Sequence, residues 1–211
     1  MRDLRLRGLY VIADTGVTAP ERLHEVLAAA LRGGARAVQF RDKHMRLRQA
    51  QRKALRALCA EHGALFIVND DPALAAELHA DGVHLGRNDG NIGRAREFLG
   101  EYALVGVSCY DDLDRAVEMQ TRGADYVAFG SFYQSLVKPD AVRAPISLLH
   151  RARARLHIPI VAIGGITPAN AVPLIEAGAA AVAVISAVFA RADVEAAARR
   201  FTELFSPNLA G

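Results

Sequence analysis

The chain has 211 residues, 52% hydrophobic and 23% charged, which describes a globular domain and excludes a disordered or low-complexity protein. Its 26 basic and 23 acidic residues leave a net charge of only +3 with the signs interleaved, so no nucleic-acid-binding face is expected. Cys59 and Cys109 make no zinc or redox spacing, and no apolar stretch nears the ~18–20 residues of a membrane span.

The basic start, Met1 to Arg7, leads into an apolar run that stops at Asp14, too short for a signal-peptide core. These features together predict a soluble cytoplasmic protein with no nucleic-acid or membrane partner and with room for a homo-oligomer. A single domain over 1–211 is expected, its core spanning about 8–205.

Taken in chain order, eight short runs rich in Val, Ile and Ala read as strands: Leu9–Ala13, Ala37–Phe40, Leu65–Val68, Gly82–Leu85, Leu104–Val107, Tyr126–Phe129, Ile160–Ile163 and Ala181–Ile185. Each is too short for a helix and nearly all apolar, as strands covered on both faces must be. Segments of helical period lie between them. The first carries Leu23, Val26, Leu27, Ala30 and Leu31; the second carries Leu47, Ala50, Ala54, Leu55 and Leu58. Thr18, Asp71 and Thr167 precede prolines at 20, 72 and 168, a pattern of capping side chain and first-turn proline. Gly33, Gly63, Gly123 and Gly178 sit where helices should end.

A similar turn leads into every second strand, at Gly34-Ala35, Ala80-Asp81, Gly123-Ala124 and Gly178-Ala179. Strict βα alternation predicts a closed (β/α)8 TIM barrel, with an open doubly wound sheet as the alternative. The stretch from Gly130 to about Pro145 is the longest loop and is expected to serve function.

In such a barrel the reactive face is built from loops after the strands. Those loops carry Gln39, Arg41 and Lys43; Asn69 and Asp70; Arg87 and Asp89; Ser108 and Tyr110; Ser131, Ser135 and Lys138; Gly164 and Gly165; and Ser186. Only three lysines occur in the chain, Lys43, Lys53 and Lys138, and two of them fall in these loops. A lysine ammonium is a mobile point charge suited to phosphate. Asp70 and Asp89 follow neighbouring strands and are placed to share a hard cation such as Mg²⁺. With Arg41 and Lys43 alongside, that set suits a diphosphate. The bland alternative is that Asp70 or Asp71, and Asp89, merely cap the next helices.

Across the barrel, Gly164-Gly165 and Ile185-Ser186 occupy the usual phosphate-binding corner, although a glycine pair also serves an ordinary turn. His84 reads as a packed structural histidine sooner than a base, and Cys109 as a small packing residue. Lys138 lies in a loop, a poor place for a rigid Schiff-base amine. A diphosphate on one side and a monophosphate on the other suggest a two-substrate transfer.

The ordered set Leu9 to Asp14, Gln39-Phe40-Arg41-Asp42-Lys43, Asn69-Asp70, Asp81 to Asp89, Gly106-Val107-Ser108, Lys138-Pro139-Asp140 and Ala162 to Ile166 resembles the thiamine-phosphate synthase family, from about Leu9 to Phe205. The resemblance implies a Mg²⁺-dependent transferase of thiamine biosynthesis that joins hydroxymethylpyrimidine diphosphate to thiazole phosphate and releases diphosphate. It further implies that Gln39, Phe40, Arg41, Asp42, Lys43, Asn69, Ser108 and Lys138 bind the pyrimidine diphosphate, and that Asp70 and Asp89 hold the metal. Ser135, Gly165, Ile185 and Ser186 would bind the thiazole phosphate, and Arg41, Lys43, Ser108 and Lys138 form the catalytic set.

Four positions depart from the family pattern. Val137 stands where a second threonine is common, Arg87 where glutamine is common, and Phe40 and Asp42 replace leucine and glutamate. A related thiazole tautomerase is expected to carry histidine where this chain has Tyr110, which favours the synthase. A non-catalytic phosphate-binding barrel is the reading from another class.

Overall fold

A computed structural model describes residues 6–86, 91–134 and 142–206. Eight parallel strands close into one barrel in sequence order: β1 (Gly8–Asp14), β2 (Ala37–Arg41), β3 (Leu65–Asn69), β4 (Gly82–Leu85), β5 (Leu104–Tyr110), β6 (Tyr126–Phe129), β7 (Ile160–Ile163) and β8 (Ala181–Val184). Closure is made by β8 on β1, with Gly8 opposite Ala181 and Val11 opposite Val184, which rules out the open sheet. The helices α1 (Pro20–Arg32), α2 (Gln49–Glu61), α3 (Pro72–Glu77), α4 (Ile92–Leu99), α5 (Leu113–Thr121), α6 (Ser147–Arg155) and α7 (Pro168–Glu176) alternate with the strands. The short α8 (Ser186–Phe189) and then α9 (Val194–Glu203) follow the last strand. No helix among the described residues is long and apolar enough to cross a membrane.

Strand alternation sorts side chains into two cores. Leu9, Val11, Val38, Phe40, Phe66 and Val105 face outward and pack with the helices. Tyr10, Ile12, Leu65, Ile67, Leu104, Tyr126 and Val161 fill the barrel interior. Small residues, Ala37, Ala128, Ala181 and Ala183, make room inside for the two tyrosine rings. Gly106 is needed for the same reason: a Cβ there would lie 1.9 Å from Cζ of Tyr126.

Helix starts mostly follow the sequence signals. The Asp71 carboxylate accepts from the Leu74 N–H at 2.9 Å, and the Asn170 side chain accepts from the Thr167 N–H at 2.8 Å. Thr18 does not cap α1. The cap position is Ala19, one residue later, and Thr18 is tucked into the turn after β1, where its N–H donates to the Asp14 carbonyl.

Candidate active site at the strand ends

Strands β2 to β5 set four groups of polar residues side by side at the barrel mouth. On β2, Gln39 is buried and points inward, where its Nε2 donates to the Tyr10 hydroxyl at 3.1 Å. Two residues on, Arg41 pairs with the buried Asp14 at the end of β1. Beyond the strand, the Lys43 ammonium lies 3.2 Å from Asp70 Oδ2 at the end of β3. Asp70 holds a left-handed φ of 65° and its N–H donates to the His84 carbonyl at 2.8 Å. Adjacent acids thus divide the work: Asp71 caps α3, while the Asp70 carboxylate turns toward the mouth. Asn69 is half-buried on β3 beside His84 of β4.

His84 is buried with both ring nitrogens engaged, Nδ1 to the Tyr126 hydroxyl at 3.0 Å and Nε2 to Ser108 Oγ at 2.9 Å. The Tyr126 hydroxyl also meets that of Tyr10 at 3.0 Å. Burial pushes the His84 pKa down to about 4, only partly opposed by the Asp70 charge, so the imidazole is neutral at physiological pH. Burial likewise raises Tyr10 to about 12, outweighing its hydrogen bonds with Tyr126 and Gln39, and carries Tyr126 well above the usual tyrosine value. Both phenols therefore stay protonated. Cys109 is buried and raised to about 12 by desolvation, as a packing thiol should be.

On the opposite side of the mouth, the turn after β7 and the segment after β6 interlock. The Phe132 and Tyr133 N–H groups donate to the Ile163 and Gly164 carbonyls at 3.1 and 3.0 Å. A Cβ on Gly164 would fall 1.9 Å from Ser131 Oγ, and one on Gly165 would fall 2.3 Å from the Gln134 carbonyl. The glycine pair is therefore required by packing as well as by any anion. Ile185 packs against the interior cluster and Ser186 opens α8, both half-buried.

The side chains of Phe40 and Asp42 have partners away from the mouth. Phe40 faces outward, fully buried and stacked on Phe66 with ring centroids 5.9 Å apart, so its side chain holds the barrel to the helices. The Asp42 carboxylate is spent locally. It accepts from Thr15 Oγ1 at 2.9 Å, Arg46 N at 2.8 Å and Leu47 N at 3.0 Å, with Arg52 at 3.5 Å. Burial alone would raise its pKa, but those hydrogen bonds outweigh it and hold the carboxyl below its ordinary value. Asp89, Ser135 and Lys138, with Arg87 and Val137, lie outside the described residues.

Asp14, Tyr10 and Tyr126 are further polar members of this region, to which the sequence motifs assign no role. Their signal was present: an acid closing a strand, and two tyrosines at inward positions of otherwise aliphatic strands, where a hydroxyl needs a partner.

A βα barrel whose mouth gathers arginine, lysine and carboxylate beside a glycine-rich turn and a helix start belongs to the TIM-barrel enzymes suited to phosphorylated small molecules. Comparison with known proteins narrows this. A family model described as thiamine monophosphate synthase matches residues 9–188. The thiamine-phosphate synthase of Thioalkalivibrio sulfidiphilus is 53% identical over 203 residues, covering 95% of this chain and 96% of that protein. That of Thiobacillus denitrificans is 54% identical over 202 residues, covering 94% and 95%. The solved thiamine phosphate pyrophosphorylase from Pyrococcus furiosus superposes with a TM-score of 0.85 at 37% identity, covering 96% of this chain and 97% of that one. The chain belongs to the thiamine monophosphate synthase family and is an enzyme, a transferase.

Proposed function

We propose that this enzyme joins hydroxymethylpyrimidine diphosphate to thiazole phosphate, giving thiamine phosphate and free diphosphate. The observation that carries the reading is the meeting of Lys43 and Asp70 at 3.2 Å on contiguous strand ends, with Arg41 on the same side. In the reaction the C–O bond between the pyrimidine methylene and the diphosphate breaks, and its electron pair leaves with the diphosphate. The thiazole nitrogen lone pair then forms the new C–N bond, so positive charge ends on the thiazolium ring.

The work of the protein is to stabilise charge gathering on the leaving group. Arg41 is held in place by Asp14, which leaves its remaining N–H donors for phosphate oxygens. Lys43 is half exposed and mobile enough to swing from Asp70 to the diphosphate. Gln39 and Ser108 orient the pyrimidine side, with Asn69 between them. Lys138 joins the cations from outside the described residues. Gly165, Ile185 and Ser186, with Ser135, hold the thiazole phosphate on the far side.

The donor set at the mouth fits Mg²⁺, a hard ion that takes one or two carboxylates and completes its shell with phosphate oxygens. Asp70 supplies one carboxylate at the strand end, and Asp89 is proposed as the second. When bound, the ion neutralises charge on the diphosphate. A cytoplasmic location belongs to the same proposal.

Purified protein with Mg²⁺ and both substrates should release one diphosphate for each thiamine phosphate formed. Interconversion of thiazole isomers without thiamine phosphate would establish the tautomerase instead, although Tyr110 stands at the position where that enzyme needs histidine. Binding of both substrates without turnover would make the barrel non-catalytic.

A further inference from the structure

A continuous row of hydrogen bonds crosses the barrel interior from β2 to β5. It runs from Gln39 Nε2 to the Tyr10 hydroxyl (3.1 Å), to the Tyr126 hydroxyl (3.0 Å), to His84 Nδ1 (3.0 Å), and from His84 Nε2 to Ser108 Oγ (2.9 Å). Its two ends are residues proposed to meet the same substrate, while the three middle members are buried.

The protons in this row can be counted. Gln39 Nε2 is only a donor, so the Tyr10 oxygen accepts at the first link. The Tyr10 proton then has the Tyr126 oxygen as its acceptor, and the Tyr126 proton has His84 Nδ1. The neutral imidazole must therefore carry its proton on Nε2, which donates to Ser108 Oγ. Four protons fill four links in one direction, and the Ser108 hydrogen is left to point out of the row. The opposite direction fails at its first step. Gln39 would still donate to Tyr10, and the Tyr10 proton would have no acceptor in the row, at a buried site where an unmade hydrogen bond is costly. A doubly protonated imidazole fails for the same reason, because Tyr126 would accept from His84 and pass its own proton back to Tyr10.

We infer that Tyr10, Tyr126 and His84 are positioning residues that transmit the amide orientation of Gln39 across the barrel and make Ser108 a hydrogen-bond donor to the substrate. An acceptor atom is the partner this implies: a diphosphate oxygen or an unprotonated ring nitrogen of the pyrimidine. Free rotation would otherwise let the serine hydroxyl accept or donate, and rows of this kind strengthen each member by mutual polarisation. The link to catalysis rests on the proposed synthase reaction; the proton order does not.

The order can be read without any substrate. In protein labelled with ¹⁵N in histidine, the His84 resonances at neutral pH should report a single tautomer with the proton on Nε2. Gln39→Leu removes the donor that sets the direction, and Tyr10→Phe cuts the row with almost no change of shape. Redistribution of His84 toward a mixture of tautomers in either variant supports the relay. A proton on Nδ1 or on both nitrogens in the unmodified enzyme, or an unchanged tautomer in both variants, overturns it. Turnover tests the second half. Tyr126→Phe should lower kcat about tenfold, the size of one lost neutral hydrogen bond. Combined with Ser108→Ala it should lose no more than Ser108→Ala alone; losses that multiply would sever the row from catalysis. An inactive wild-type enzyme with the expected tautomer would refute the reaction and leave the relay standing.

Discussion

The neutral state of His84 makes a quantitative prediction about acid stability. In the unfolded chain a histidine titrates near 6.5, whereas in the folded barrel desolvation lowers His84 to about 4. Between those values the unfolded state takes up a proton that the native state refuses. The stability supplied by the neutral imidazole is therefore complete above pH ~6.5 and is lost as the pH falls toward 4. Linkage puts the loss at roughly 2 kcal/mol by pH 5 and roughly 3 kcal/mol by pH 4, relative to pH 7. Urea unfolding of the wild type and of His84→Gln at pH 7 and pH 5 isolates this contribution, because the other titrating groups are common to both proteins. The wild type should lose about 2 kcal/mol more than the variant over that interval. Parallel losses would mean that His84 titrates alike in both states, and that the imidazole is either hydrated or already charged.

Phe40→Ala should cost about 3–5 kcal/mol of stability through loss of its outward packing on Phe66, measured by denaturant unfolding, yet leave kcat of the folded fraction near wild type. Lys43→Arg keeps the charge but replaces a point cation with a planar fork, and kcat should fall about tenfold or more. The two neighbouring acids should separate cleanly. Asp71→Ala should cost about 1 kcal/mol as a lost helix cap with turnover intact, whereas Asp70→Asn should collapse turnover with little change in melting temperature.

The barrel was legible because its strands are short apolar runs bounded by turns. The expected spans at Gly82–Leu85, Tyr126–Phe129 and Ile160–Ile163 coincide with β4, β6 and β7. β1, β2, β3 and β5 run one to three residues longer than their apolar cores, whereas β8 ends at Val184, one residue short of the expected Ile185. β5 continues through Ser108 to Tyr110, because backbone pairing with β6 does not stop where side chains become polar. The polar residues at the mouth were equally readable from position alone. Side-chain direction was harder. Gln39 and Arg41 face the site while Phe40 and Asp42 do not, an alternation that strand period dictates but a five-residue motif conceals. The Tyr10–Tyr126–His84 row escaped because its links join residues 116 and 42 positions apart, and only closure of the barrel brings them together.

Asp70 combines a carboxylate with a backbone φ of 65°, a region that β-branched and bulky side chains enter only at a cost of about 1–3 kcal/mol. Sterics and chemistry thus filter the same codon independently. Glycine and asparagine satisfy the turn but carry no charge, and glutamate brings the charge with a longer arm and less tolerance for the turn. The alphabet open to mutation at this position is close to a single letter, so a neutral drift that reassigns its charge must first rebuild the loop that follows β3.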